Sequence, residues 1–460
     1  MPESSQDDQV AVFRKKIKYI VVIYQENWSF DGLYGMYHDK RVNNLLGSKY
    51  LPQLNLSGDS PLKHFPDVLL PDFKTIDHRF DSLNKFDPDL KPYDFNRFIH
   101  YKPDTITGDM IHNFYHEQRQ IHGGNMDEFV AWSNNGGLVM SYYADRTVND
   151  STPEEKLARR YTLCDNFFHS AFGGSFLNHI WLISASMPKW DSHAKRVPLS
   201  QLSIPGSKKD WDLGLATIGK DTVAINTTYS INFKKEVNSL MLKKYNKTIP
   251  DSLFMPSIKN TPTIGDRLSQ AGNTWIWYSG GWDSAKAGKP DLNFQLHHQP
   301  FVYFDNFKDT SSHLRDGCEF GEHIASGTLP QVSFVKAIGE LNEHPGYASV
   351  MAGQRYVDSL VNLIMQNPKY KDSTAIIIAY DENGGRWDHV KPPPSHDGFG
   401  PGTRVPAIVI SKYAKRNYVD STQYETVSIL KFIETLFKLT PLTSRDAKAE
   451  NMLNAFDFKQ

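Results

Sequence analysis

Two segments far apart in the chain carry the residue types that gather a hard cation. In Gln25-Glu-Asn-Trp-Ser-Phe-Asp-Gly32 a carboxylate stands beside an amide, Glu26 and Asn27, and offers two oxygen ligands that suit Mg2+, Ca2+ or Mn2+ and admit Zn2+. The same residues also fit a polar turn in which Asn27 or Ser29 caps the next helix. In Tyr380-Asp-Glu-Asn-Gly-Gly-Arg-Trp-Asp-His-Val390, the residues Asp381, Glu382, Asp388 and His389 crowd a Gly-Gly turn. Carboxylates held that close repel one another unless a cation gathers them. A metal accounts for the segment better than a solvated turn does.

A third segment, Phe172-Gly-Gly-Ser-Phe-Leu-Asn-His179, runs into the apolar stretch Ile180-Trp-Leu-Ile-Ser184. Glycines such as Gly174 ahead of a helix let the backbone approach a ligand, and the free amides and dipole of the first turn favour a phosphate there. Ser175 would then lie at an anion site, although on its own it reads as an ordinary N-cap. A serine hydroxyl is a weak nucleophile at neutral pH and needs a base or a metal. An ion held by Glu26, Asn27, Asp381 and Glu382 that also binds Ser175 meets that need and joins the three segments into one site for phosphoryl transfer.

The candidate histidines are His112 and His116, four apart and so on one face if helical, the pair His297 and His298, then His344 and His389. A His-Glu-x-x-His motif is absent, which argues against a zinc protease of that class. His112, His298 and His344 are favoured as groups that bind phosphate or protonate a leaving oxygen. A cationic imidazole in that role favours activity below neutral pH.

The elements that must position these residues are short and strongly patterned. Lys18–Gln25, Ser373–Tyr380 and Val405–Ser411 are continuous β-branched or aromatic runs, as expected of strands buried on both faces, and the first two end abruptly in the acidic pairs. Helical periodicity covers Gly353–Met365 and Thr426–Lys438, the latter with Val427, Leu430, Ile433 and Phe437 on one face. Strands alternating with helices predict an α/β fold with a mostly parallel central sheet covered on both sides, and ligands bind beyond the carboxyl ends of such strands. The polar excursions Leu51–Pro103 and Pro188–Asn260 are expected to wall the site. The chain is therefore divided into a poorly ordered segment 1–15, one catalytic domain over 16–445 and a tail 446–460.

Bulk properties add exclusions. The 460 residues carry a net charge of −1, so no whole-chain attraction to nucleic acid is expected. The 22 Tyr, 27 Phe and 9 Trp suit a globular enzyme with aromatic-walled clefts. Two cysteines, Cys164 and Cys318, are too few for a disulfide scaffold, and two buried thiols are expected, with one disulfide as the alternative. No run reaches the roughly 18 apolar residues of a membrane helix, and the polar first residues do not form a signal peptide.

Further motifs are Cys164-Asp-Asn-Phe-Phe168, Thr263-Ile-Gly-Asp-Arg-Leu268 before Trp275-Ile-Trp-Tyr278, Asp388-His-Val390 and Arg404-Val-Pro-Ala-Ile-Val-Ile-Ser411. Together with the Glu26, Ser175 and Asp381 segments, and in this order, they resemble the bacterial phosphoesterase family that contains phospholipases C and broad-specificity acid phosphatases, within the alkaline-phosphatase superfamily. The resemblance implies a three-layer alkaline-phosphatase-like fold, Ser175 as nucleophile, and a divalent metal on Glu26, Asn27, Ser175, Asp381 and Glu382. It implies active-site imidazoles at His112, His298 and His344, with His297 able to exchange roles with His298, and a phosphate contact from Asn178. A secreted or periplasmic location follows from the family alone.

The phospholipase branch carries Thr with a following Pro-Asn-Arg at the nucleophile and an Arg in the first motif, where this chain has Ser175-Phe-Leu-Asn-His179 and Trp28. The chain looks closer to the acid-phosphatase branch, and small phosphomonoesters cleaved through a phosphoserine are the expected substrates. The alternatives are a phosphodiesterase or phospholipase C acting on phospholipid head groups and, more remotely, a non-catalytic secreted binding protein. Neither cysteine lies in the Cys-x-Pro-x-Arg context of a sulfatase.

Overall fold

A computed structural model describes residues 6–86, 89–99, 105–143, 152–190, 215–218, 221–307, 312–395 and 397–459. Eight strands form its central sheet: β1 (Tyr19–Gln25), β2 (Thr162–Cys164), β3 (Trp275–Ser279), β4 (Leu314–Asp316), β5 (Val332–Lys336), β6 (Thr374–Tyr380), β7 (Ala407–Ser411) and β8 (Tyr418–Asp420). Their order is β4-β3-β5-β1-β6-β7-β2-β8, and all run parallel except β7. The expected mostly parallel α/β architecture is what forms. β7 reverses because the connection from β6 holds no crossover helix among its described residues, and a parallel return needs one.

The Tyr-Ile-Val-Val-Ile-Tyr-Gln and Thr-Ala-Ile-Ile-Ile-Ala-Tyr runs of β1 and β6 are buried almost throughout. Their register pairs Ile23 with Ile378 and Gln25 with Tyr380, so the residues that follow, Glu26 and Asp381, emerge side by side. The Asp381 N–H continues the ladder to Gln25 O at 3.1 Å.

Helices cover both faces. On one, Tyr24 OH reaches the Asn178 carbonyl of the helix Ser175–Ser184, which packs on the helix Thr426–Phe437. On the other, Tyr380 reaches Glu154 of the helix Pro153–Arg160, which packs on Val350–Met365. The latter helix starts where the Ser349 hydroxyl takes the Ala352 N–H, and it buries Val357, Leu360, Val361 and Ile364 at a spacing of three or four.

Three expectations are corrected. The described part of segment 1–15 is not disordered: Gln6–Lys16 is a helix whose fully buried Phe13 packs with its ring centre 4.7 Å from that of Phe432. The tail 446–460 is folded in as well, because Met452, Leu453, Ala455 and Phe456 are buried and Thr162 Oγ1 bonds to Ala455 O at 3.1 Å. Cys164 is a buried free thiol, but Cys318 is an exposed one.

The described part of the first excursion closes on Asn135, which exchanges two 2.9 Å hydrogen bonds with Leu69 and donates to Asp109 O, beside the loop carrying His112. In the second, Asn226 accepts the Phe114 N–H at 3.1 Å. Residues 191–214 and 219–220 of that excursion lie outside the described residues. Among the described residues no helix is long and apolar enough to cross a membrane.

Candidate active site

Beyond β1 the chain turns at Asn27, whose φ of 66° is left-handed. Gly384 interlocks with this turn, since a Cβ there would lie 2.4 Å from Asn27 O and its own φ is +62°. Arg386 clamps the pair, its guanidinium 3.7 Å over the Trp28 ring. Within this frame Asp381 Oδ1 accepts the N–H groups of Asn27 at 3.1 Å and Glu382 at 2.8 Å, and Glu382 Oε2 accepts Gly384 N–H at 2.5 Å.

Ser175 is the first residue of its helix, and Gly174 occupies the N-cap position. Its hydroxyl is therefore not the capping group that the sequence pattern permits. It lies 3.4 Å from Glu382 Oε1. Gly174 is small enough for the His112 ring to rest on it, as a Cβ would stand 3.1 Å from His112 Cδ2.

Asn178, one turn on, is fully buried. Its Oδ1 accepts Ala171 N–H at 3.0 Å, and its amide donates to Ala171 O at 3.0 Å and Gly173 O at 3.3 Å. The side chain expected to touch phosphate is instead occupied in shaping the Ser175 loop. Glu117 holds the loop from the other side. Its Oε2 accepts Gly173 N–H at 2.6 Å, while Oε1 takes the Thr403 N–H and hydroxyl at 2.8 Å and faces His169 Nε2 at 2.8 Å. Burial alone would raise the Glu117 carboxyl, but His169 and these donors hold it below the usual range.

Glu26 is likewise fully buried. Its Oε1 pairs with His298 Nε2 and with Lys336 Nζ, the latter at 2.8 Å, and its Oε2 accepts Asn342 Nδ2 at 3.1 Å. Burial would raise its pKa, yet His298 and then Lys336 keep it well below the carboxylate range. His298 is pushed down to about 4, by burial first and by Lys336 in part, against the pull of Glu26. Its ring stacks at 5.2 Å on His179, whose Nδ1 donates to Ser175 O at 2.7 Å and stands 3.8 Å from Asp381 Oδ2.

The remaining imidazoles form a rim. His112 Nε2 is 3.3 Å from Asn27 Nδ2 and 3.8 Å from Glu382 Oε1, and the His344 ring is 5.9 Å from that of His112. His297, half-buried, offers a ring nitrogen within 4.8 Å of the ligand atoms of Glu26 and His298. His116 does not share a face with His112, because the helix begins only at Phe114; it is buried with its ring 6.2 Å from Trp132. The three groups Glu26, Asp381 and Glu382 are carboxyls in a space that Lys336 alone supplies with a fixed positive charge among the residues named. Burial accordingly raises Asp381 to about 6 and Glu382 well above the usual range.

The residues present fit a divalent cation. Asn27 Oδ1 and Asp381 Oδ2 are buried oxygens without a hydrogen-bond partner, and ligand atoms of Glu26, His179 and Asp381 lie within 4.8 Å of one another. Such groups are stabilised by a metal or an ordered water. The acidic cluster of Asp31, Asp388 and His389 has its cation built in: Arg404 bonds Asp31 at 3.0 Å and Asp388 at 3.1 Å, while His389 meets Asp31 at 2.7 Å.

Lys336, His179, Asn342 and Glu117 were not among the residues expected at the site. Lys336 had a signal, since a charged residue ends the strand-like run Val332-Ser-Phe-Val335 much as Glu26 and Asp381 follow theirs.

A sequence model of the Phosphoesterase family matches residues 17–440. Non-hemolytic phospholipase C of Pseudomonas aeruginosa is 24% identical over 492 aligned positions, covering 96% of this chain and 58% of that protein. Phospholipase C B of Mycobacterium tuberculosis is 24% identical over 481 positions, covering 96% of this chain and 78% of that one. The chain thus spans little more than half the length of the first of these relatives. Among solved structures, a protein in the alkaline phosphatase superfamily from Vibrio parahaemolyticus is similar with a TM-score of 0.33 at 10% identity, over 65% of this chain and 63% of that one.

Proposed function

The chain belongs to the Phosphoesterase family, and on that premise we propose that it hydrolyses phosphoric esters, phosphomonoesters foremost, with Ser175 as nucleophile. The observation that carries this reading is the Ser175 hydroxyl, relieved of capping, at the first turn of its helix and 3.4 Å from Glu382 Oε1. Glu26, Asn27, Asp381 and Glu382 would hold a divalent ion, which when bound supplies Lewis-acid charge beside the hydroxyl and the phosphoryl group.

Ser175 Oγ gives its proton to Glu382 Oε1, 3.4 Å away, and forms a bond to phosphorus as the bond to the leaving oxygen breaks in line, and that oxygen takes a proton from His112 or His344 at the rim. Water then attacks the phosphoserine and gives a proton to that imidazole, while Ser175 Oγ regains its proton from Glu382 and phosphate is released. The loose transition state asks for positioning and charge neutralisation, which the first-turn amides, Lys336 and the imidazoles supply. The monoester preference rests on Ser175-Phe-Leu-Asn-His179 and Trp28, where the sequence departs from the phospholipase branch. A second reading, diester cleavage including phospholipid head groups, is favoured by the names of the relatives. Secretion or a periplasmic location belongs to the same proposal.

Turnover of p-nitrophenyl phosphate, bis-p-nitrophenyl phosphate and p-nitrophenyl phosphorylcholine, measured on protein purified without chelators, separates the readings. Monoester kcat/KM at least about tenfold above either diester is expected, a difference of about 1.4 kcal/mol in transition-state binding. Faster phosphorylcholine cleavage would replace the first reading by the second, and no turnover of any of the three would remove both.

A further inference from the structure

Three residues that each precede a group of the site turn their side chains into one buried cluster behind it. Gln25 precedes Glu26, Glu343 precedes His344, and Tyr380 precedes Asp381. Successive side chains of an extended segment point to opposite sides, so Gln25 and Tyr380, the last residues of β1 and β6, face away from Glu26 and Asp381, and Glu343 meets them there from its own turn. Gln25 Nε2 donates to Glu343 Oε1 at 2.8 Å, and Tyr380 OH lies 2.8 Å from Glu343 Oε2 and 3.0 Å from Glu154 Oε2. The Glu343 carbonyl accepts the indole N–H of Trp28, the residue after Asn27, at 3.1 Å. Glu343 thereby touches both acidic turns and carries His344 on its own backbone.

The placement is a demanding one. Glu343 adopts a left-handed φ of 75°, uncommon for any residue with a Cβ. The helix packed against it has Gly353 at the contact, where a Cβ would lie 2.2 Å from Glu343 Cγ. Tyr380 has one hydroxyl proton and two carboxyl oxygens within bonding distance, so a proton on one of the two carboxyls completes the hydrogen bonding of the cluster. Burial raises both acids, Glu154 to about 7 and Glu343 well above the usual range, in keeping with that count.

We propose that Glu343 is a positioning residue for phosphoryl transfer, an acid whose two oxygens and carbonyl lock the Glu26, Asp381 and His344 segments into one register. It acts only through those residues, and the proposal rests on the function assigned above. Loss of such an outer hydrogen-bond partner typically costs about 10- to 100-fold in metal affinity or activity.

Glu343→Met keeps the bulk and removes every side-chain hydrogen bond, whereas Glu343→Gln offers an acceptor to Gln25 and a donor to Tyr380. Calorimetric Mn2+ affinity, kcat and KM on p-nitrophenyl phosphate, and Tm are measured for each. For Glu343→Met, Mn2+ affinity and kcat each fall about 10- to 100-fold, and KM changes by less than about threefold. Glu343→Gln recovers both losses to within about fivefold of the wild type, on the same outer-partner scale. Should Glu343→Met not fold, Tyr380→Phe, which removes the shared hydroxyl alone, is expected to shift both quantities in the same direction. Wild-type Mn2+ affinity and kcat in either Glu343→Met or Tyr380→Phe overturns the proposal, as does a Glu343→Gln variant as impaired as Glu343→Met. A wild-type protein that binds Mn2+ but turns over no phosphoester would sink the functional reading while the affinity data still decide the positioning role.

Discussion

The Ser175 hydroxyl and Glu382 Oε1 lie 3.4 Å apart although 207 residues separate them in the chain. Because Gly174 and not Ser175 occupies the cap position, Ser175→Ala should leave stability within about 0.5 kcal/mol of the wild type. Turnover of an aryl phosphate should fall by about 10³-fold or more, and acid quenching should no longer trap a phosphoenzyme. Near-normal turnover in the variant would exclude the covalent route.

Asn178→Ala separates a phosphate contact from a loop clamp. The clamp predicts a stability loss of about 1–3 kcal/mol, since the Ala171 N–H would lose the Asn178 acceptor and the Ala171 carbonyl would keep His169 alone, together with a fall in kcat. Urea denaturation and steady-state kinetics read both. Unchanged stability with a raised KM and weaker inhibition by phosphate would restore the substrate contact instead.

Lys336→Met leaves Glu26 with one cation fewer in a fully buried setting. Without added metal the variant should be about 3–5 kcal/mol less stable, as for other buried pairs broken on one side. Saturating Mn2+ should recover more stability in the variant than it adds to the wild type, because a bound cation takes over the neutralisation of Glu26. Equal Mn2+-induced shifts in Tm would show that the two cations do not share Glu26.

Glu154 gives a pH dependence whose sign follows from its burial. Its carboxyl is raised from 4.5 to about 7 in the folded protein, so between those values the native state holds a proton that the unfolded chain has released. The contribution of this group to stability therefore falls as pH rises from about 4.5 to about 7, by about 3 kcal/mol at most, and is lost above. Glu154→Gln lacks that contribution and should gain on the wild type between pH 5 and pH 8 in paired denaturation curves. A constant difference across the range would contradict the assigned proton.

The sheet and the acidic turns are legible in the sequence because continuous Val and Ile runs that stop at carboxylates fit little besides buried strands delivering ligands at their ends. Val405–Ser411 reads equally well as a strand, but its antiparallel direction depends on the connection before it, which carries no periodic signal. Glu117 and His179 are hidden for a different reason. Each lies on a helix whose local pattern accounts for it, and only the loop folded against that helix makes it part of the site. His112 and His116 mislead in the opposite sense, since a four-residue spacing means a shared face only if the helix includes both, and this one starts between them. Lys336 ends a strand-like run much as the acids follow theirs, and the same rule applied to cations as well as carboxylates picks it out.

The neighbours of β1 on either side, β5 and β6, are encoded near the other end of the chain. On the ribosome, at about 5–20 residues per second, the first strand is made on the order of half a minute before either partner exists. During that interval a Tyr-Ile-Val-Val-Ile-Tyr segment has both hydrogen-bonding edges open, the condition under which nascent chains pair with one another. A chain released before residue 374 lacks β6 and leaves one edge of β1 without its partner, and it is expected to be recovered as aggregate, however well its earlier helices form.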